Sequence, residues 1–171
     1  MKHLEAYRHI HATNPNYGQG SGVAVCDAIR KHLPAELITR PHHVMDYGCG
    51  NSRMLFNVFP NAQTHLRYDP AIPVFESKPV ITMSFGLCTD VLEHIPADEL
   101  AATFKLMELW AWRWIFIVCT RPAGQLLPNG ENAHCSVYPA EWWLERLRKV
   151  WPAARRADFS TPETRPGFLT F

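Results

Sequence analysis

The sequence predicts a single α/β domain built on a mostly parallel sheet. Three observations lead there. Short apolar runs alternate with helical patterns, as in βα units. A glycine-rich turn joins one of those runs to the next helical stretch. The length of 171 residues falls within the roughly 100–200 of one domain. Apolar residues make up 47% and charged residues 19%, so the chain buries a core and is not disordered. Fourteen prolines among 171 residues exceed the usual ~5% and predict frequent loops.

The elements follow in order. Asn14–Gly20 reads as a loop. Ser21 is placed to cap a helix through Leu33, with Val25, Ile29 and Leu33 on one face and Pro34 ending it. His43–Tyr47 is a strand that runs into Gly48-Cys49-Gly50-Asn51-Ser52 and a helical stretch. Thr64–Tyr68 is a second strand, closed by Asp69-Pro70. Residues 70–79 do not read as a full helix. Val80–Met83 and Phe85–Cys88 read as two short apolar strands. Pro96 is placed to open a helix that buries Leu100, Phe104 and Met107. Trp114–Cys119 has a buried-strand pattern, and a loop covers Thr120–Tyr138. Pro139 opens a helix with Trp143, Leu147, Val150 and Trp151 inward. Tail strands are expected at Arg156–Ser160 and Gly167–Phe171.

Composition narrows the function. A net charge of +1 gives no global attraction to nucleic acid or an anionic membrane. Cys26, Cys49, Cys88, Cys119 and Cys135 form no Cys-x-x-Cys pair and are odd in number, which argues against a disulfide framework and a zinc ribbon. Met1–Glu5 has no apolar signal region, and Trp110–Cys119 is too short to span a bilayer and carries Arg113. A cytoplasmic location without membrane contact is the expectation.

The most informative stretch is Val44-Met45-Asp46-Tyr47-Gly48-Cys49-Gly50. Glycines there permit a tight turn and close approach of a ligand, with free helix N–H groups beside it. The dinucleotide fingerprint needs a glycine at 53, where Arg53 stands. An acid sits instead at Asp46, and another ends the second strand at Asp69. A carboxylate at that position suits the two hydroxyls of a ribose. The pattern fits a nucleoside without a pyrophosphate.

These residues resemble the class I S-adenosylmethionine-dependent methyltransferases. Asp46-Tyr47-Gly48-Cys49-Gly50 matches their first motif, Asp69 their post-strand acid, and Cys88-Thr89-Asp90-Val91-Leu92-Glu93-His94-Ile95-Pro96 the segment after their fourth strand. Ser52 departs from a glycine common in the family. The resemblance covers residues 43–119 and implies a Rossmann-like, seven-stranded sheet with a shortened segment after strand two. It implies one methyltransferase domain: residues 1–34 as N-terminal loop and helix, 43–119 as cofactor core, and 120–171 as substrate loop, helix and terminal strands. It implies S-adenosyl-L-methionine as cofactor, held by Asp46, Tyr47, Gly48, Cys49, Gly50, Asp69, Pro70, Thr89 and Asp90, with Tyr17 closing over it or acting as an ordinary loop aromatic.

Candidate chemistry lies at the C-terminal edge of the strands. His134, His94 and Asp90 are the candidate catalytic residues, and Arg121 and His134 the candidate substrate contacts. Asp90, Glu93 and His94 share a face if the segment is helical. With His134 they form a candidate metal set, similar to the Glu-x-x-Glu-His plus distal His of metal-dependent RNA 3′-end 2′-O-methyltransferases, with Asp90 in place of the first Glu. Read alone, Glu93 and His94 are the helix-capping part of the segment, and no metal is then needed. Trp142 and Trp143 suit either stacking on a substrate or the core. Arg146, Arg148, Lys149, Arg155 and Arg156 form a basic cluster that reads as a solvated face or an anion contact. The leading expectation is in-line methyl transfer to an O or N of a small polar acceptor, such as a sugar or nucleotide derivative. The alternatives are a metal-assisted RNA or nucleotide O-methyltransferase and a catalytically silent cofactor-binding subunit. Nucleic acid stays open as a partner, as do a homodimer and a partner protein. Specificity is expected from residues 1–20 and 120–138 or from a second protomer.

Overall fold

The computed structural model describes residues 2–14, 16–19, 23–35 and 42–171. Ser21, the expected cap, lies outside the described residues. The chain runs α1 (Lys2–Thr13), α2 (Val23–His32), β1 (His43–Tyr47), α3 (Met54–Val58), β2 (Thr64–Tyr68), β3 (Met83–Thr89), α4 (Leu100–Trp110), β4 (Ala111–Ile117), α5 (Ala140–Arg148), β5 (Arg155–Ala157) and β6 (Gly167–Leu169). Short 3-10 turns cover Pro73–Phe75 and Leu92–His94.

Among the described residues the strands form one six-stranded sheet in the order β2-β1-β3-β4-β6-β5. The first four are parallel, and β6 runs antiparallel between β4 and β5. Seven strands were expected. After β2 the backbone makes the Pro73–Phe75 turn and joins the sheet again only at Met83. Pro70, Pro73 and Pro79 lack the N–H a ladder requires, which disfavours a strand there.

Alternation along the strands builds two cores. On β4, Trp114 and Phe116 face α4 and α5, where they pack with Phe104, Met107, Trp143 and Leu147. Ile115 and Ile117 face the other way, toward Val25 and Ile29 of α2 and Met54 and Leu55 of α3. Each large buried apolar side chain contributes about 1.5–3 kcal/mol.

Several boundaries differ from the sequence reading. Val80–Met83 is not a strand: Val80 is 97% exposed, and one continuous β3 begins at Met83 opposite Ala111. β4 starts at Ala111 rather than Trp114, since pairing extends into a stretch where Trp112 is exposed. Pro96–Glu99 makes a separate turn, and α4 begins at Leu100. The tail strands are shorter than expected at both positions. Residues 2–13, read only as polar, form a helix.

Candidate active site

A cleft of about 590 Å³ opens where the parallel strands end. Small-molecule sites fall in this size range, roughly 300–1,000 Å³. Its floor is the glycine loop after β1, its sides are the ends of β2, β3 and β4, and α1 with the following turn forms its roof.

The glycine loop is fixed from β2. Tyr68 O accepts the Gly48 and Cys49 N–H groups at 2.8 and 3.1 Å. Asp69 Oδ2 accepts the Gly50 N–H at 2.9 Å, and its Oδ1 accepts Ala71 N–H at 2.9 Å. The guanidinium of Arg67 donates to Gly50 O at 2.8 Å and lies 3.9 Å over the Phe75 ring. Gly48 has φ +71°, and a Cβ there would sit 2.5 Å from Val91. Gly50 has φ +49°, with Gly18 O 2.7 Å from a Cβ position. Both sites exclude larger residues on backbone and steric grounds. Asp46 is buried at the loop's entrance, and burial pushes its carboxyl up to about 7, with Arg67 opposing and Asp69 adding. Ser52 stands where the methyltransferase motif it resembles often has glycine, and its hydroxyl accepts Met54 N–H at 3.0 Å at the start of α3.

The roof is latched to this floor. Gly18 O accepts Asn51 N–H at 2.9 Å, and Tyr17 O accepts from the Asn51 side chain at 3.1 Å. The Tyr17 ring lies edge-on to His11 at 5.0 Å, and burial pushes its hydroxyl up to about 12.

Beyond β3 the arrangement departs from the sequence reading. Asp90 has φ +55° and does not share a helical face with Glu93 and His94, because the 3-10 turn begins only at Leu92. Arg165 donates Nε to Asp90 Oδ1 at 2.8 Å and a second nitrogen to Oδ2. This bidentate pair engages both carboxylate oxygens of Asp90, which the sequence reading left open to a proton or a metal. Glu93 points inward and is fully buried. Its Oε1 accepts Cys119 N–H at 3.0 Å, and its Oε2 has no hydrogen-bond partner. Burial, with Asp90 adding, pushes the Glu93 carboxyl up to about 8.

His94 Nδ1 lies 2.9 Å from Ala133 O and 2.7 Å from the Tyr7 hydroxyl, which itself donates to Ala133 O at 2.6 Å. A carbonyl only accepts, so Nδ1 carries the proton and Nε2 keeps its lone pair. Burial holds His94 down to about 4, so the ring is neutral at pH 7. His134 Nδ1 likewise donates to Arg121 O at 2.6 Å. The two imidazoles meet edge-on, 4.7 Å between centroids.

All the sequence-nominated cofactor and catalytic positions therefore border one cleft, together with Arg121; Glu93 alone lies behind its wall. The four-residue metal set is not brought together. Trp143 is core, and Trp142 stacks on Tyr138 at 3.8 Å with Arg146 over its ring, outside the cleft. The basic cluster also lies outside it, with Arg156 paired to Glu141 and Arg148 bonded to Ala154 O. Sequence reasoning missed Tyr7, His11, Arg67, Cys119 and Arg165. Leu4, Tyr7 and His11, spaced three and four apart, carried a helical signal for the first two. Nothing local marks Arg165, which lies 75 residues from its partner.

The strand order, with one antiparallel strand inserted beside a parallel set above this cleft, decides the architecture. The chain has the class I methyltransferase fold. Among solved structures, 1,6-didemethyltoxoflavin-N1-methyltransferase from Burkholderia thailandensis, with bound 1,6-didemethyltoxoflavin and S-adenosylhomocysteine, matches 98% of this chain and 87% of its own at TM-score 0.67 and 12% identity. The N-methyltransferase NodS from Bradyrhizobium japonicum WM9, in complex with S-adenosylhomocysteine, matches 99% and 96% at TM-score 0.60 and 10% identity. An O-methyltransferase family protein from Burkholderia thailandensis matches 84% of this chain at TM-score 0.60 and 14% identity, and this chain spans 54% of that one. No family model matches the sequence, and no curated protein matches it.

Proposed function

We propose that this chain is an S-adenosylmethionine-dependent methyltransferase that modifies an O or N of a small polar acceptor. The observation that carries the reading is the pairing of the positive-φ glycine loop with the Asp69 carboxylate, on one floor at the C-terminal edge of the sheet. The residues fit the cofactor. Side chains at 48 and 50 would fill the cradle, and the cleft has the volume for a nucleoside with an amino-acid tail. Asp69 uses one lone pair of each oxygen on backbone N–H groups, which leaves one on each for a ribose hydroxyl.

In this reading Asp46, Tyr47, Gly48, Cys49 and Gly50 hold the amino-acid end, Asp69 and Pro70 the ribose, and Thr89 and Asp90 the floor by the reactive carbon. Asp90 acts there through its fixed backbone, since its carboxylate belongs to Arg165. Tyr17 covers the ligand from the roof. The cofactor supplies an activated methyl group, and the protein supplies alignment and exclusion of water. His134 offers an imidazole nitrogen to the acceptor proton, and neutral His94 supports it edge-on. Arg121 lines the same end and suits an anionic substituent on the acceptor. The bound ligand of the toxoflavin enzyme supports a small acceptor by analogy of fold.

Methyl-labelled cofactor incubated with the protein and a fractionated cell extract tests this. Label is expected in a small polar product. Label confined to macromolecules overturns the acceptor class, and label nowhere supports the silent-subunit alternative. His134→Ala is expected to slow turnover by about 10²–10⁴-fold if it removes the general base, with cofactor affinity unchanged.

A further inference from the structure

Behind the acceptor end of the cleft, three donor side chains from separate segments converge. One ligand atom each of Glu93, Cys119 and His134 lies within 4.8 Å of the others. Glu93 comes from the 3-10 turn, Cys119 from just beyond β4, and His134 from the long loop. Glu93 is fully buried and Cys119 nearly so.

The neighbours that could compete do not join them. Asp90 is held by Arg165, and His94 is not among the residues whose donor atoms converge. Glu93 uses one oxygen on Cys119 N–H, and its other buried oxygen has no protein partner. Such an oxygen is rare and calls for a missing donor or ion. The Nδ1–H of His134 is fixed on a backbone carbonyl, the support that metal-binding imidazoles commonly have. The Cys119 thiol donates to the same carbonyl at 3.7 Å, a contact it gives up when it loses its proton to a metal.

We propose that Glu93, Cys119 and His134 bind a divalent transition-metal ion of the zinc type, with a fourth position open to the cleft. A thiolate with an imidazole and a carboxylate selects zinc-like ions over magnesium or calcium. Three protein ligands and one open position form the pattern of catalytic rather than structural zinc. Tetrahedral coordination brings ligand atoms to roughly 3.5 Å apart, so the donors must close by about 1 Å. Binding releases two protons to solvent, one from the Cys119 thiol and one from the Glu93 carboxyl, which burial keeps protonated near neutral pH. The set keeps Glu93 and His134 of the four residues nominated from sequence and puts Cys119 in place of Asp90 and His94. It rests on protein donors alone and is separate from cofactor binding, but it uses the same His134 nitrogen that the proposed function offers to the acceptor proton, so a metal-loaded chain does not use His134 as its base.

Cobalt(II) titration of the metal-free full chain tests the site. One equivalent is expected to bind with a thiolate-to-cobalt charge-transfer band, and zinc is expected to displace it. Cys119→Ser should lose the band, whereas Cys135→Ser, which alters an exposed thiol, should keep it. Glu93→Gln retains an acceptor for Cys119 N–H and should weaken binding about tenfold or more. Circular dichroism checks that each variant is folded. No charge-transfer band in the wild-type protein overturns the proposal whatever the variants do. A band that survives Cys119→Ser, or that vanishes with Cys135→Ser, also overturns it.

Discussion

At the scale of single residues, the floor of the cleft carries its own pH signature. Burial raises the Asp46 carboxyl from 3.8 to about 7 in the folded chain. Between those values the folded state binds more protons than the unfolded one, so stability falls as pH rises through that window. His94 works in the opposite sense: its folded value of about 4 lies below 6.5, so its contribution grows as pH rises between the two. Comparing wild type with Asp46→Asn isolates the first effect. In thermal unfolding, the variant should gain on the wild type as pH rises from 4 to 7 and then hold a constant difference. Parallel curves would mean that Asp46 is not desolvated. Gly48→Ala places a Cβ in a left-handed backbone and against Val91. It should cost about 1–3 kcal/mol in denaturant melts. Gly48 and Asp69 were legible in the sequence because a glycine at a strand end and an acid after the next strand each have a local reason. The pairing of Asp90 with Arg165 was not legible, because its partner lies far along the chain.

At the scale of elements, α1 is the weakest part of the site. Ile10 packs on Leu127 and Ala133 in a cluster of three buried residues, whereas α4 and α5 share the largest core. The roof therefore opens more readily than the sheet, since local opening follows the number of buried contacts. Amides of α1 should exchange faster than those of α4. S-adenosylhomocysteine should slow exchange across α1 and residues 17–19 while leaving α4 unchanged. Unaltered α1 exchange in ligand-saturated protein would contradict its role as a roof. The helix escaped the sequence reading because its polar composition masked a stripe of Leu4, Tyr7 and His11. The strand starts were misplaced for a related reason. Apolar density marks where a strand is buried, but pairing from Met83 and Ala111 runs beyond the buried part.

At the scale of the whole molecule, alternation of apolar strands with helices was enough to predict the layered sheet, because both faces of a parallel sheet must be covered. Strand number was not legible, since a run such as Val80–Ile81 looks like a strand but lies before the sheet and is exposed. Among the described residues no helix is long and apolar enough to cross a membrane. The nominated binding residues span positions 17 to 134, yet they border one cleft because the fold brings β1, β2, β3 and β4 to a common edge. That convergence is the basis for treating the cleft as a cofactor site. Isothermal calorimetry of the full chain with S-adenosylmethionine and S-adenosylhomocysteine tests it most directly. The wild-type protein is expected to bind either at one per chain, and Asp69→Ala to weaken binding by about 1.5–3 kcal/mol, the size of a lost charge-assisted hydrogen bond. Folded wild-type protein that binds neither ligand would contradict the account.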